Sequence, residues 1–226
     1  MSNRIFACAV AAPMCLIATP LVADVMFDNT LDGTRATNPN AQSTFSFTNG
    51  NARAFAFKID DGFDFNLSSL MLGLYVEQGG GLTEVTGSLT VTLFELDNAY
   101  QSPEQIASEQ VSGLVVQAAG SYVELDFQSL DDITLQGGNR YGLKIGSATS
   151  NAGKIRGIQT PGSNSMATGD GVTFGSYVRA NQGEWHLNNA RLLGQLNGTA
   201  SSVVPGPAAA MTLLAGLTGI TRRRRR

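Results

Sequence analysis

Three aspartates grouped around one glycine are the first candidates for chemistry in this chain. Asp60, Asp61 and Asp64 lie close together in sequence, with Gly62 between them. Carboxylate oxygens are the hard ligands that Ca²⁺ prefers, so the group predicts a calcium site, although the spacing is not that of an EF-hand loop. Turn chemistry is the alternative, because Asp and Gly are also typical of tight turns. No other cofactor is expected.

Candidates for catalysis are fewer. A second acidic group contains Asp126, Asp131 and Asp132, and a glycoside hydrolase needs two carboxylates that face each other across a cleft. The single histidine is His186, and no Gly-x-Ser-x-Gly motif accompanies it. We therefore expect His186 to be a strand or edge residue, and we expect that the protein is not an enzyme.

Trp185 is the candidate for contact with a sugar. It is the only tryptophan, and Tyr100, Tyr122 and Tyr177 could join it in one aromatic face. Large amphipathic rings of this kind suit an apolar contact next to a polar group. The alternative is that these rings are buried, because the strands already require core residues.

Strands are the elements that must position these residues. Apolar residues alternate with polar or small ones in five segments, centred on Phe57, Leu72, Val91, Leu125 and Leu143. Period-two alternation between turn signals predicts antiparallel sheets. Many such strands predict an all-β fold, an antiparallel β-sandwich or jelly roll. Residues 24–200 are expected to form this single domain.

Two local predictions are more specific. A three-residue loop, Asp60–Asp61–Gly62, would join two strands as a hairpin, with Gly62 in the left-handed conformation and Phe57 opposite Phe65. The only helical segment predicted inside the domain is a short one at residues 103–110.

The first 23 residues have the pattern of a secretory signal peptide. Arg4 precedes an uncharged run from Ile5 to Val22, and Ala23 is the small residue expected at the signal peptidase site. Cys8 and Cys15 are the only cysteines and both lie in this segment. The exported chain is therefore predicted to contain no disulfide and no cysteine metal site.

The C-terminal end has three parts in a fixed order. Pro205, Gly206 and Pro207 follow a linker at residues 201–204 and precede the uncharged residues 208–221. The chain then ends in an arginine block, Arg222, Arg223, Arg224, Arg225 and Arg226. As a helix, the uncharged part would span about 21 Å, short against a hydrocarbon core of about 30 Å but sufficient with local thinning. The arginines favour the cytoplasmic side.

Removing both ends changes the charge of the protein. The whole chain has 15 basic and 18 acidic residues, a net charge of −3. Arg4 and the terminal arginines lie in the two ends, so the part between them has nine basic residues against 18 acidic ones, a net charge of −9. This negative charge on the body, the part of the chain between the two ends, disfavours nucleic acid as a partner and favours solubility or cation binding.

The order of Pro205-Gly206-Pro207, apolar segment and arginine block resembles the PEP-CTERM sorting signal of Gram-negative bacteria. In that family a Pro-Glu-Pro triplet precedes a single membrane helix and an arginine-rich end, whereas Gly206 stands here in place of the glutamate. The resemblance implies export by the Sec translocon and transient anchoring in the inner membrane. Processing by an exosortase-type protease would follow.

The body resembles the choice-of-anchor exported domains of the R type, which often precede such signals. The resemblance covers residues 25–198 and rests on Phe27-Asp28-Asn29-Thr30, the runs at 88–96 and 133–143, and Trp185. That family supplies no catalytic residues to transfer.

The resulting expectation is a non-enzymatic protein of the cell surface or the extracellular matrix. A carbohydrate-binding module of an exopolysaccharide matrix, with or without calcium, is the alternative, and a secreted glycan hydrolase ranks third.

Overall fold

The computed structural model describes residues 24–30, 44–47, 52–76, 83–100, 103–147, 155–160, 166–181, 184–187 and 191–200. Every regular element in these ranges is a β-strand. No helix in them has the length and apolarity needed to cross a membrane. The predicted signal peptide, linker, apolar C-terminal segment and arginine block lie outside the described residues.

Fifteen strands occur in the described ranges. They are β1 (Asp24–Asp28), β2 (Thr44–Ser46), β3 (Ala52–Ile59), β4 (Phe65–Val76), β5 (Glu84–Leu96), β6 (Glu104–Gln117), β7 (Ser121–Asp126), β8 (Thr134–Leu135), β9 (Arg140–Ser147), β10 (Ile155–Thr160), β11 (Ala167–Thr168), β12 (Val172–Asn181), β13 (Glu184–Leu187), β14 (Arg191–Leu192) and β15 (Gly194–Ala200).

The strands form two sheets. The nine-stranded sheet has the order β11-β1-β15-β4-β10-β14, with β2 on β10 and with β7 and β8 on β4. The six-stranded sheet has the order β13-β12-β3-β9-β5-β6. All strand pairs among the described residues are antiparallel. The all-β, antiparallel class predicted from the alternation is therefore confirmed.

One hydrophobic core joins the two sheets. Phe27 of β1 lies in the nine-stranded sheet, and its ring centroid is 5.0 Å from that of Phe55 and 5.7 Å from that of Phe57, both on β3 of the six-stranded sheet. The alternating residues predicted to face inwards contribute to this core, including Leu72 and Leu143. Their burial removes apolar surface from water, which is the main favourable term in folding.

Strand β3 is covered on both of its faces. Phe55 and Phe57 point into the core, and the alternate residues Ala54 and Ala56 are also at most 1% exposed. These alanines belong to a second cluster on the outer face of the six-stranded sheet, formed by Ala52, Ala54, Ala56, Phe94, Leu96 and Val178 with Tyr100 against them. Period-two alternation is typical of strands with one buried and one solvent-facing side, and β3 departs from that pattern.

The predicted hairpin at Asp60–Asp61–Gly62 is also wrong. Strand β3 pairs with β12 on one side and β9 on the other, so no edge is left for β4, which lies in the nine-stranded sheet. The segment between β3 and β4 instead carries the chain from one sheet to the other. Phe57 and Phe65 are therefore not opposite each other in one sheet, although both contribute to the core from different sheets.

The predicted helix at residues 103–110 is wrong because this segment belongs to β6. Its register against β5 places Ser108 opposite Thr92, and their hydroxyl oxygens lie 3.0 Å apart. The Glu and Gln residues of this segment stand on an edge strand, where several side chains are exposed. Pairing with β5 satisfies the backbone groups, and tertiary pairing of this kind overrides a weak local propensity.

The conformation predicted for Gly62 is confirmed, since its φ is +88°. We predict that Gly62→Ala lowers the free energy of unfolding by about 1–2 kcal/mol, because an L-residue is strained in that region. A Cβ would meet nothing within 4 Å there, so the loss would be conformational.

Gly146→Ala is the matched control for this substitution. Gly146 lies in β9, has the same open space around a Cβ and does not have a left-handed φ. Urea unfolding should show no loss of stability for this variant, since Ala suits a strand at least as well as Gly. Equal losses in both variants would contradict the conformational explanation.

Candidate functional site

The predicted sorting residues cannot be placed in the fold. Ala23, Pro205, Gly206, Pro207 and the block Arg222, Arg223, Arg224, Arg225 and Arg226 all lie outside the described residues. Their roles stay predictions.

The acidic group Asp60, Asp61 and Asp64 lies in the segment that links the sheets. The Thr173 hydroxyl donates to Asp60 Oδ1 at 3.0 Å, and the Gly137 N–H donates to Asp64 Oδ1 at 2.9 Å. These two carboxylates thus accept donors that are distant in sequence, and the bonds tie the segment to the rest of the fold. In the described part of the chain, no three Asp, Glu, His or Cys residues form a group that could hold a metal ion. The calcium site stays a prediction.

The second acidic group is divided between a strand and a turn. Asp126 ends β7, whereas Asp131 and Asp132 lie in the turn that follows Leu130. The Asp131 carbonyl oxygen accepts a hydrogen bond from Asn66 Nδ2 at 3.0 Å, which ties the turn to β4.

Trp185 and His186 lie in β13, at one edge of the six-stranded sheet. The prediction that His186 is a strand or edge residue is confirmed. Register places Trp185 opposite Ala180 of β12, and Ala180 opposite Ala52 of β3.

A single face made of all four aromatic candidates is ruled out. Tyr122 lies in β7 of the nine-stranded sheet, and its hydroxyl donates to the Thr30 carbonyl at 3.3 Å. Trp185 and Tyr177 lie in the other sheet, and Tyr100 packs on that sheet's outer face. The role of Trp185 as a sugar contact stays a prediction.

Glu109 is the residue whose role the sequence did not reveal. Its carboxylate, on edge strand β6, accepts four hydrogen bonds from the segment after β7. The donors are Gln128 N at 2.8 Å, Ser129 N and Oγ at 3.0 Å each, and Leu130 N at 3.1 Å. The side chain thus joins the six-stranded sheet to a loop of the nine-stranded sheet. Only these contacts between residues that are distant in sequence identify the role of Glu109.

Two opposing effects set the pKa of the Glu109 carboxyl. Burial is the largest single influence and raises this pKa, but the hydrogen bonds from Ser129, Gln128 and Leu130 together outweigh it. The net pKa lies below the ordinary glutamate value, because these donors stabilise the charged form.

A cleft of about 380 Å³ opens beside Glu109. It is lined by residues 109–114 of β6 together with Glu124, Asp126 and Gln128. A row of hydrogen bonds across three strands leads to it, from Gln195 to Asn197 at 2.8 Å, from Asn197 to Ser69 at 3.0 Å, and from Ser69 to Glu124 at 2.8 Å. The row satisfies the buried Ser69 hydroxyl and fixes one Glu124 oxygen, and no aromatic ring lines the cleft.

The outer face of the six-stranded sheet combines aromatic rings with cations. The Arg140 guanidinium lies 5.4 Å from the centroid of the Tyr100 ring, and Lys144 Nζ lies 4.9 Å from that of Phe94. Both contacts fit a cation–π geometry. We call these four side chains the outer cation cluster. Burial lowers the pKa of Lys144, and no other cause contributes to the shift.

Tyr100 is held in a strained conformation. Its φ is +57°, the only positive value of a non-glycine residue among those the structure describes. The loop before it is fixed by two bonds to Asp97, from Tyr100 N to the carbonyl at 3.0 Å and from Ala99 N to Oδ1 at 2.9 Å. Its ring covers Gly175, where a Cβ would clash with the ring carbons. Strain of this kind costs about 1–3 kcal/mol and clusters at functional sites.

Comparisons with known proteins add little to this geometry. No protein-family model matches the chain, and no curated protein matches it. One similar solved structure is described as the stem and receptor binding domain of the spike protein P1 from bacteriophage PM2. It is 11% identical, with a TM-score of 0.25, over 71% of this chain and 67% of that chain. Similarity at this level establishes neither a fold nor a function.

The Glu109 contact predicts a pH-dependent stability. Because the folded pKa is lowered, the stabilisation is fully present above the unfolded value, near 4.5, and is lost as the pH falls through the folded value. Glu109→Gln should lower the free energy of unfolding at neutral pH by about 1 kcal/mol, a low figure for charged hydrogen bonds because the site is partly solvated.

Urea unfolding at several pH values measures this effect. Glu104→Gln, an exposed change on the same strand, is the control and should leave the stability unchanged. The Glu109→Gln variant should also lose less stability than the unmodified protein as the pH falls below 4.5. An identical pH dependence in both proteins would rule out the proposed role of the carboxylate.

Proposed function

We propose that this chain is an exported, non-enzymatic protein of the cell surface or the extracellular matrix. The observation that carries the proposal is the pairing of its two ends. An apolar N-terminal segment ending at Ala23 and a C-terminal order of Pro205-Gly206-Pro207, apolar residues and arginines enclose one acidic body. The first end suits the Sec translocon, and the second resembles a signal that exosortase-type proteases process.

The composition of the body is compatible with an oxidising compartment outside the cytoplasm. The two cysteines of the chain both lie in the predicted signal peptide, so the body contains no thiol that could form a disulfide there. We further propose that the two antiparallel sheets form a β-sandwich of the jelly-roll type. The contact of Phe27 with Phe55 and Phe57 supports this arrangement, since it joins the inner faces of the two sheets.

A carbohydrate-binding module of the exopolysaccharide matrix is the second candidate. The outer cation cluster favours it, because it places two half-buried cations over aromatic rings on the outer face of a sheet. Trp185 falls in the same register row as Ala52, which belongs to that face.

The mass of the protein purified from its Gram-negative host tests the sorting proposal. We expect the mature chain to lack residues 1–23 and the segment after Pro207, because both would be removed in transit. A chain with its arginine block intact, recovered from the cell surface, would contradict processing by an exosortase.

A variant with Arg222 to Arg226 replaced by glutamine is the control for orientation. Without its basic block the C-terminal segment loses its positive-inside bias, so we expect less mature protein at the surface. Unchanged processing of this variant would contradict the role given to the arginines.

A further inference from the structure

The outer cation cluster gathers positive charge on an otherwise acidic body. Lys58 and Arg140 are directly opposite each other in register, and Lys144 follows Arg140 on the same face of β9. Where β3, β9 and β5 pair with one another, the described positions on this face include no Asp or Glu. These sheet positions are therefore positive although residues 24–204 carry a net charge of −9, and the Asp60 carboxylate, bonded to Thr173 beside Lys58, lies at their margin.

The cations are fixed by packing. Arg140 and Lys144 are half-buried, and each lies over an aromatic ring. The small residues beneath them, Ala54, Ala56 and Gly142, leave room for long side chains to lie flat on the sheet. Fixing these side chains before a ligand arrives reduces the entropy lost on binding.

Neither Arg140 nor Lys144 forms an ion pair with the residues that the structure describes. Arg140 donates from Nη1 to Asn98, but its Nε is enclosed and has no hydrogen-bond partner in the described part of the chain. A half-buried cation without a countercharge is costly, and an anion that reaches the cation recovers part of that cost. The site is therefore complementary to an anionic group.

The spacing of the cations indicates a ligand with repeated charges. Arg140 and Lys144 are four residues apart on one strand, a separation of about 13 Å. A polymer with a charge on successive units can contact both cations at once across this backbone separation. Guanidinium binds carboxylate in a bidentate geometry, which favours carboxylate as the anion.

From these features we infer that the outer cation cluster binds an acidic polysaccharide whose sugar units carry carboxylates. Arg140 and Lys144 contact the carboxylates, and Lys58 adds to the local potential. Tyr100 and Phe94 act as positioning residues that hold the two cations. The inference rests on the carbohydrate-binding candidate above, but it does not depend on how the C-terminus is processed.

Binding of the exported protein to polygalacturonate tests the inference. We expect saturable binding that weakens about tenfold in Arg140→Gln and in Lys144→Gln, as the loss of one charge-assisted contact would produce. Arg156→Gln, a change of equal charge in β10 of the other sheet, should stay within twofold. Neutral dextran should not bind.

Tyr100 provides a test that separates positioning from folding. Tyr100→Gly relieves the backbone strain but removes the ring beneath Arg140 and its packing on the sheet, so polygalacturonate binding should weaken when it is measured well below the melting temperature of the variant. Tyr100→Phe keeps the ring and should bind polygalacturonate as tightly as the unmodified protein does. A stable Tyr100→Gly protein with unchanged binding would contradict the positioning role.

Other outcomes would overturn the inference as a whole. They are the absence of polygalacturonate binding, an equal loss in Arg156→Gln, and equal affinity for a single-stranded oligonucleotide. The last would indicate a general polyanion surface rather than one that selects sugar carboxylates. Monomeric galacturonate separates the polymer from a single carboxylate, and equal affinity for both would refute the two-cation contact. A failed binding test would leave the mass test of export unaffected. An intact C-terminus in the mass test would likewise leave the binding test unaffected.

Discussion

The double coverage of β3 is the constraint on which the rest of the structure depends. Phe55 and Phe57 on its inner face meet Phe27 of the other sheet, and this contact holds the sheets together. Ala54 and Ala56 on its outer face are equally inaccessible to water. Small residues on that face allow the longer side chains of neighbouring strands to lie across it. The core and the outer cation cluster are therefore two sides of the same strand.

Long-range contacts complete the junction between the sheets. The segment from Asp60 to Asp64 carries the chain from β3 to β4, and its carboxylates accept hydrogen bonds from Thr173 and Gly137. Glu109 makes the corresponding link from edge strand β6. In both places a carboxylate serves the fold by binding donors from a distant part of the chain. This use of acidic residues accounts for some of the excess negative charge in the body.

The sequence allowed the fold class to be predicted, but not the pairing of strands. Alternation around Phe57 and Leu72 identifies buried faces, because period two is a local property. Whether β3 and β4 form a hairpin depends on competition from β9 and β12, which no local pattern reveals. The segment at 103–110 is a strand for the same reason, since its partner β5 decides its conformation.

The candidate site shows the same limit. Trp185 is identifiable from its residue type alone, whereas Arg140, Lys144 and Tyr100 come together only through strand register and an unusual loop.

Hydrogen exchange tests most directly the central claim that both faces of β3 are covered. Amides of Ala54 to Phe57 should exchange only on global unfolding, because both faces of β3 are covered, and amides of β6 at residues 104–110 should exchange faster. Exchange of the β3 amides as fast as those of β6 would contradict this account.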